Sequence, residues 1–162
     1  IRDSVNTAVM WIDELLNGYD KNPEEILAGG SAAPQSGDLV VVKDIFFHSV
    51  CPHHLLPYHG IAHVGYVSSG RIVGLSKIAR LLDCFAHRLI LQEEIGHLVT
   101  GALVEHLGAQ GAVCMLDTEQ LCMVIRGVRK PGSRAITTSY AGTMATDKSA
   151  KSAFISAIKS QD

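Results

Sequence analysis

The sequence carries almost no charge bias. Its 14 Lys and Arg stand against 16 Asp and Glu, a formal net charge of −2 at pH 7. No global field therefore recruits nucleic acid, and an anionic partner has to be met by a local group of basic residues. The chain has no apolar run long enough to cross a bilayer, no internal repeat, no low-complexity tract and no G-x-x-x-x-G-K-[ST] loop to cradle a phosphate. No charged and apolar leader opens it, so export is not expected, and Ile1 in place of Met suggests a trimmed start. Cys51, Cys84, Cys114 and Cys122 are even in number, but a chain of 162 residues that is 47% hydrophobic is not a disulfide scaffold. Reduced thiols in a cytoplasm are the expectation.

What the chain does have is apolar surface. Its length is that of one domain, 1–162, which buries a core without help from disulfides or metal. A mean hydropathy of +0.20 is high for a small monomer without a membrane span. The surplus points to subunit interfaces.

Val5, Val9, Trp11, Ile12, Leu15 and Leu16 recur at helical spacing, with Gly18 placed to stop the run as a C-terminal cap; this helix and a following arm make up 1–37. "AGGSAAPQSGD" is a loop by composition. "LVVVKDIFF" reads as a strand, and "GIAHVGYV" with "RIVGL" reads as a hairpin turning at "SSG". From Ser76 to about Gly108 the period becomes helical, with two helices or one kinked near Leu89. "GAVCMLDTEQLCMVIRGV" and "RAITTSYAGTM" return to strand character, and Thr146 or Asp147 can cap a last helix to about Lys159. This order predicts an α+β domain: an antiparallel sheet covered on one face by two long helices, with a further helix at each end of the chain.

Between the first two strands lies "SVCPHHLLPYHG", with Cys51, His53 and His54 inside four residues. Such crowding implies a metal site, a nucleophile and base pair, or the accident of a His-rich chain. Zinc takes thiolate and imidazole in a tetrahedron, and Cys51-x-x-His54 on a tight turn can aim both at one point. Cys122 is the candidate third ligand, on a later strand able to run beside the first. Three protein ligands leave a position for water, as in catalytic zinc sites. A lone C-x-x-H is weak evidence, and Cys122 could equally be a core thiol. His53, next to a ligand but oppositely oriented in an extended chain, suits a general acid or base. His48, His63, His87, His97 and His106 read as surface or satisfied core groups, and His59 stays open.

"GLSKIAR" offers Ser76, Lys77 and Arg80, the last two on one helical face, and "MVIRGVRK" offers Arg126, Arg129 and Lys130. Together they could clamp a polyphosphate, or simply be solvated basic residues. "LQEEIG" places Gln92, Glu93 and Glu94 at a helix start. An ionised Glu there can accept two hydrogen bonds from a guanine edge, although solvated carboxylates also explain such a run.

"SVCPHHLLPYHG", "GLSKIARLL", "LQEE", "LCMVIRGVRK" and "SRAITTS" occur in the order and approximate spacing of the GTP cyclohydrolase I family, from about Trp11 to Ile158. The resemblance implies a T-fold, assembly as a toroidal homodecamer with active sites at subunit interfaces, and Zn2+ as the cofactor. It implies zinc ligation by Cys51, His54 and Cys122, proton handling by His53, guanine recognition by Ser76, Gln92 and Glu93, and triphosphate binding by Lys77, Arg80 and Arg126. It further implies that zinc-activated water attacks C8 of GTP, followed by release of formate and closure to 7,8-dihydroneopterin triphosphate. The chain departs from the family pattern at four places. Pro52 replaces a Glu, Gln120 replaces a His assigned to proton transfer, Glu94 replaces an Arg, and "DSVN" replaces a Thr-Pro-x-Arg helix opening. An amide cannot shuttle protons near neutral pH. A relative that performs part of the reaction or takes another purine, and a non-catalytic nucleotide-binding subunit, are therefore the alternatives.

Overall fold

The computed structural model describes residues 2–160; Ile1, Gln161 and Asp162, part of the expected domain, lie outside the described residues. Helix α1 (Arg2–Leu16) leads through a 3-10 turn (Asn17–Asp20) to α2 (Pro23–Leu27) and β1 (Ser31–Ala32). Then come β2 (Leu39–Val50), β3 (Pro57–Val67) and β4 (Arg71–Ile72), followed by α3 (Leu75–Ala86) and α4 (Gln92–Glu105). The remainder is β5 (Gly111–Gln120), α5 (Leu121–Val124), β6 (Ala135–Gly142), a 3-10 turn (Thr143–Ala145) and α6 (Lys148–Lys159). The main sheet is antiparallel in the order β2-β3-β5-β6.

Alternation along the strands decides the core. Phe47, Tyr58, Ala62, Val64 and Tyr66 face α3 and α4, where Ile78, Leu81, Leu82, Ile95, Val99 and Leu103 meet them. The opposite face is not bare, as a one-sided sheet would leave it. Phe154 of α6 packs there with Val67, Val113 and Met144. Asp147 caps α6 as its position predicts, accepting from Ser149 N at 2.8 Å and Ala150 N at 3.0 Å.

Two sequence expectations are corrected. The "SSG" hairpin does not form: Arg71 and Ile72 pair with Ala32 and Ser31 instead. β3 already has β2 along one edge and β5 along the other, so no ladder position is left for the returning segment. Gly18 is not a helix cap. It lies buried in the 3-10 turn, where a Cβ would come within 2.5 Å of Cys84 O and 2.7 Å of His87 O. The need there is for close backbone approach rather than for a left-handed residue. Among the described residues no helix is long and apolar enough to cross a membrane.

Two of the histidines expected to be surface or satisfied core groups are half-buried and partnered. His63 Nδ1 accepts from Asp44 N–H at 3.1 Å, at the bulge in β2. His87 stacks on His48 at 4.5 Å and has Nδ1 3.0 Å from Asn17 Oδ1. Burial lowers the pKa of both, against the opposing pull of Asp44 and Asp83. The unfolded chain protonates such a group near about pH 6.5 and the folded chain only at lower pH, so the stability held above that value is lost as pH falls. The urea midpoint is expected to decrease from about pH 7 to about pH 5, with a shallower slope in His63→Gln. Equal slopes in the two proteins would show that His63 carries none of it.

Candidate active site

The β2–β3 hairpin pairs Val50 with Pro57, which makes residues 51–56 its turn. Cys51 N donates to Leu56 O at 3.0 Å and Leu55 N to Cys51 O at 2.9 Å. Leu55 takes φ 53°, a left-handed conformation uncommon for a bulky side chain, and Pro52 contributes no N–H. Inside this turn Cys51 Sγ lies 3.7 Å from His54 Nδ1. A tetrahedral zinc with Zn–S about 2.3 Å and Zn–N about 2.0 Å would hold such atoms about 3.5 Å apart, so the pair fits that ion. His53 is exposed, its ring edge-on to His54 at 6.2 Å.

Cys122 is not on a strand. β5 ends at Gln120, opposite Tyr58, because β3 begins at Pro57 and no strand lies across from the residues beyond. Cys122 sits on the short α5, half-buried, and among the described residues no three His, Cys, Asp or Glu side chains form a metal-holding group. The other two thiols are core groups: burial pushes Cys114 up to about 12 and raises Cys84 as well. All four cysteines are free.

A cleft of about 200 Å³ opens beside the turn, lined by Cys51, Tyr58, Leu91, Gln92, Glu93, Gln120 and Ala135. Gln92, the first residue of α4, is only 4% exposed. The two N–H groups of its Nε2 serve Leu116 O at 3.1 Å and Ala135 O at 3.0 Å, with Thr137 Oγ1 also within 3.1 Å. Its Oε1 accepts from Thr118 Oγ1 at 2.5 Å and Gln120 Nε2 at 2.9 Å. Gln92 therefore spends its amide on tying α4 to β5 and β6, while Glu93 on the next position is exposed and lines the cleft. Glu94 accepts from Leu91 N–H at 3.1 Å, closing the helix N-terminus, where a carboxylate also suits the helix dipole. Tyr58 donates to Ile90 O at 3.0 Å, and burial raises its phenol pKa, so it is a fixed wall rather than a proton carrier.

Tyr58, Thr118 and Thr137 escaped the sequence analysis. Alternation along β3 and β5 was the available signal, since Tyr58 pairs with Gln120 and Gly60 with Thr118. The same alternation sends His59 to the other face, exposed and 6.1 Å from the Phe46 ring. His59 does not share the cleft with Gln120.

The residues at the start of α3 lie elsewhere. Lys77 donates to Ala28 O, while Ser76, Arg80 and Arg126 are exposed. The start of α3 follows Val73, whose N–H donates to Tyr66 at the far end of β3, whereas the segment after its end meets Val50 through Leu89 and Ile90. From Lys77 to Ala86 a helix rises about 14 Å. Within one chain, Ser76 and Lys77 thus stand at the opposite end of α3 from the Cys/His turn, with Arg80 at the middle of the helix.

Replacing Gln92 by Leu would strand two carbonyls and Thr118 in a buried place. At about 1–3 kcal/mol for each unsatisfied group, partly relieved by water, Gln92→Leu is expected to cost about 2–4 kcal/mol in urea unfolding. A loss below about 0.5 kcal/mol would mean that the network does not hold α4 in place.

The sequence pattern of the family GTP cyclohydrolase I matches residues 4–159. The chain is 43% identical over 150 residues to GTP cyclohydrolase 1 of Chromobacterium violaceum, covering 93% of this chain and 72% of that one. It is 45% identical over 138 residues to the Streptococcus sanguinis enzyme of the same name, covering 85% and 74%. The corresponding protein of Dehalococcoides mccartyi is 37% identical over 161 residues, covering 98% and 85%. In fold, the chain resembles an apo archaeosine synthase QueF-Like, with a TM-score of 0.54 and 18% identity over 67% of this chain and 97% of that one, and the architecture is the T-fold. With the motifs in register and the match running almost end to end, the chain belongs to the GTP cyclohydrolase I family.

Proposed function

We propose that this protein is a zinc-dependent GTP cyclohydrolase I, taking GTP and water to formate and 7,8-dihydroneopterin triphosphate. The observation that carries the reading is the cleft in which Cys51, Gln92, Glu93 and Gln120 converge, in a chain of this family. Cys51, His54 and Cys122 would hold the metal. A zinc ion there makes water acidic enough to act as a nucleophile near neutral pH.

The chain's own groups supply the rest. Glu93 accepts from the N–H groups of the guanine edge, held in register by Gln92 beneath it. His53 is free on the turn and moves a proton at N7 of the purine, which makes the neighbouring carbon electrophilic. Lys77, Arg80 and Arg126 bind the triphosphate, and Ser76 joins Glu93 in reading the guanine. Because Lys77 stands at the far end of α3 from the cleft and Arg80 at its middle, the complete site takes these residues from a second copy of the chain. The open edges of β2 and β6 and the exposed Val5, Val9, Trp11 and Ile12 of α1 support such a homo-oligomer, which we take to be the decamer. Four free cysteines suit a cytoplasmic protein.

Gln120 favours a second reading, in which the reaction stops at the ring-opened formamide. Zinc-loaded protein incubated with GTP separates the two. Formate together with a pterin spectrum is expected, and an altered purine spectrum without formate would establish the partial reaction. Cys122→Ser is expected to keep the fold but lose metal and turnover, and full zinc occupancy in it would remove Cys122 from the ligand set. Glu93→Gln is expected to weaken GTP binding by about 1–3 kcal/mol, since a donor then meets a donor edge. Unchanged affinity would place guanine recognition on another residue.

A further inference from the structure

The hydrogen bonds around Gln92 decide which way two carboxamides point. Gln92 faces the backbone carbonyls of Leu116 and Ala135, which only an NH2 group can serve, so its Nε2 lies there and its Oε1 lies toward Thr118 and Gln120. Gln120 must then offer its own NH2 to Gln92 Oε1, at 2.9 Å, and to Thr118 Oγ1, at 3.1 Å. Both of its N–H bonds are consumed. The polar atom that Gln120 has left for the cleft it lines is its carbonyl oxygen.

We propose that Gln120 is an acceptor-only positioning group for the hydrolysis, locked by Gln92 and Thr118 so that its carbonyl oxygen holds the O–H of the attacking water and, after ring opening, an N–H of the formamide. The inference rests on the proposed GTP hydrolysis and gives Gln120 a role that needs no proton transfer. In the first hydration the water oxygen bonds to C8 and the C8–N7 π pair moves to N7. N7 takes a proton from His53, and the water proton not held by Gln120 passes back to His53. One histidine then balances the step, while the proton on the Gln120 side stays on oxygen throughout. Neither of two nearby groups takes that proton, since Tyr58 is committed to Ile90 O and His59 is on the other face, and the Glu93 carboxylate is engaged with the guanine edge in this reading.

Two variants test this, one without reference to turnover. In Gln120→Glu a carboxylate would set an acceptor against Gln92 Oε1, whereas a protonated carboxyl could still donate to it, so the folded carboxyl pKa is raised. Relative to wild type, the variant is expected to lose stability at about pH 8 and to recover it as pH falls toward about 4.3. A difference from wild type that does not change with pH would overturn the orientation. In Gln120→Leu the water loses its acceptor, and kcat is expected to fall about tenfold with KM for GTP within about threefold of wild type. An unchanged kcat, or a fall matched by a rise in KM and a loss of thermal stability, would reduce Gln120 to a structural prop and overturn the role. If wild type releases no formate from GTP, the proposed hydrolysis fails and the role in it falls with it; the pH-dependent stability of Gln120→Glu still decides which way the amide points.

Discussion

Strand β3 is paired along its length on both sides, and most of the molecule follows from that constraint. Its hairpin with β2 leaves a six-residue turn in which Cys51 and His54 are brought to 3.7 Å. Its register with β5 sets Tyr58 against Gln120 and Gly60 against Thr118, which collects the cleft-lining groups on the helix side. A central strand has no spare edge, so the segment after it turns away to pair with β1 and delivers α3 back across the sheet. A slip of one residue in this register would exchange the Tyr58 and His59 faces, placing an imidazole in the core and a tyrosine in solvent.

The buried amide of Gln92 is the second joint. A carboxamide has two donor bonds and two acceptor sites, and here both are fully used: two carbonyls, with a hydroxyl also in reach, on one side, and a hydroxyl and an amide on the other. A fully satisfied polar group in a low-dielectric place is rigid, because every rotation strands a partner. This rigidity fixes the backbone that carries Glu93, which is otherwise an exposed side chain at the first turn of a helix. It also explains how an amide at position 120 is accommodated: it completes a network that an imidazole, with a different donor layout, would have to rearrange.

Much of the site was legible from residue types. Cys51-x-x-His54 on a strand connection, an acid at the start of the second long helix and paired cations on the first are local patterns, readable because spacing on a turn or helix fixes direction. Other elements were not. The strand character of "QLCMVIRG" was real as propensity, yet Cys122 lies on a helix because the partner strand ends first. Gly18 looked like a cap by composition, whereas its small size serves two carbonyls contributed by α3 and the residue just past it. Glu94 departs from the family's Arg for a local reason, the capping of its own helix.

What the sequence alone determined is therefore the class of fold, the family, and the kinds of chemistry present, since these depend on periodicity, residue type and short spacings. Tertiary structure alone decided three things: that Gln92 is an internal strut, that His59 lies on the opposite face from Gln120, and that Ser76 and Lys77 stand at the other end of α3 from the cleft. Each is a relation between residues far apart in the chain. Such relations are set by strand register and by which edges are already occupied, and no window of neighbouring residues contains that information.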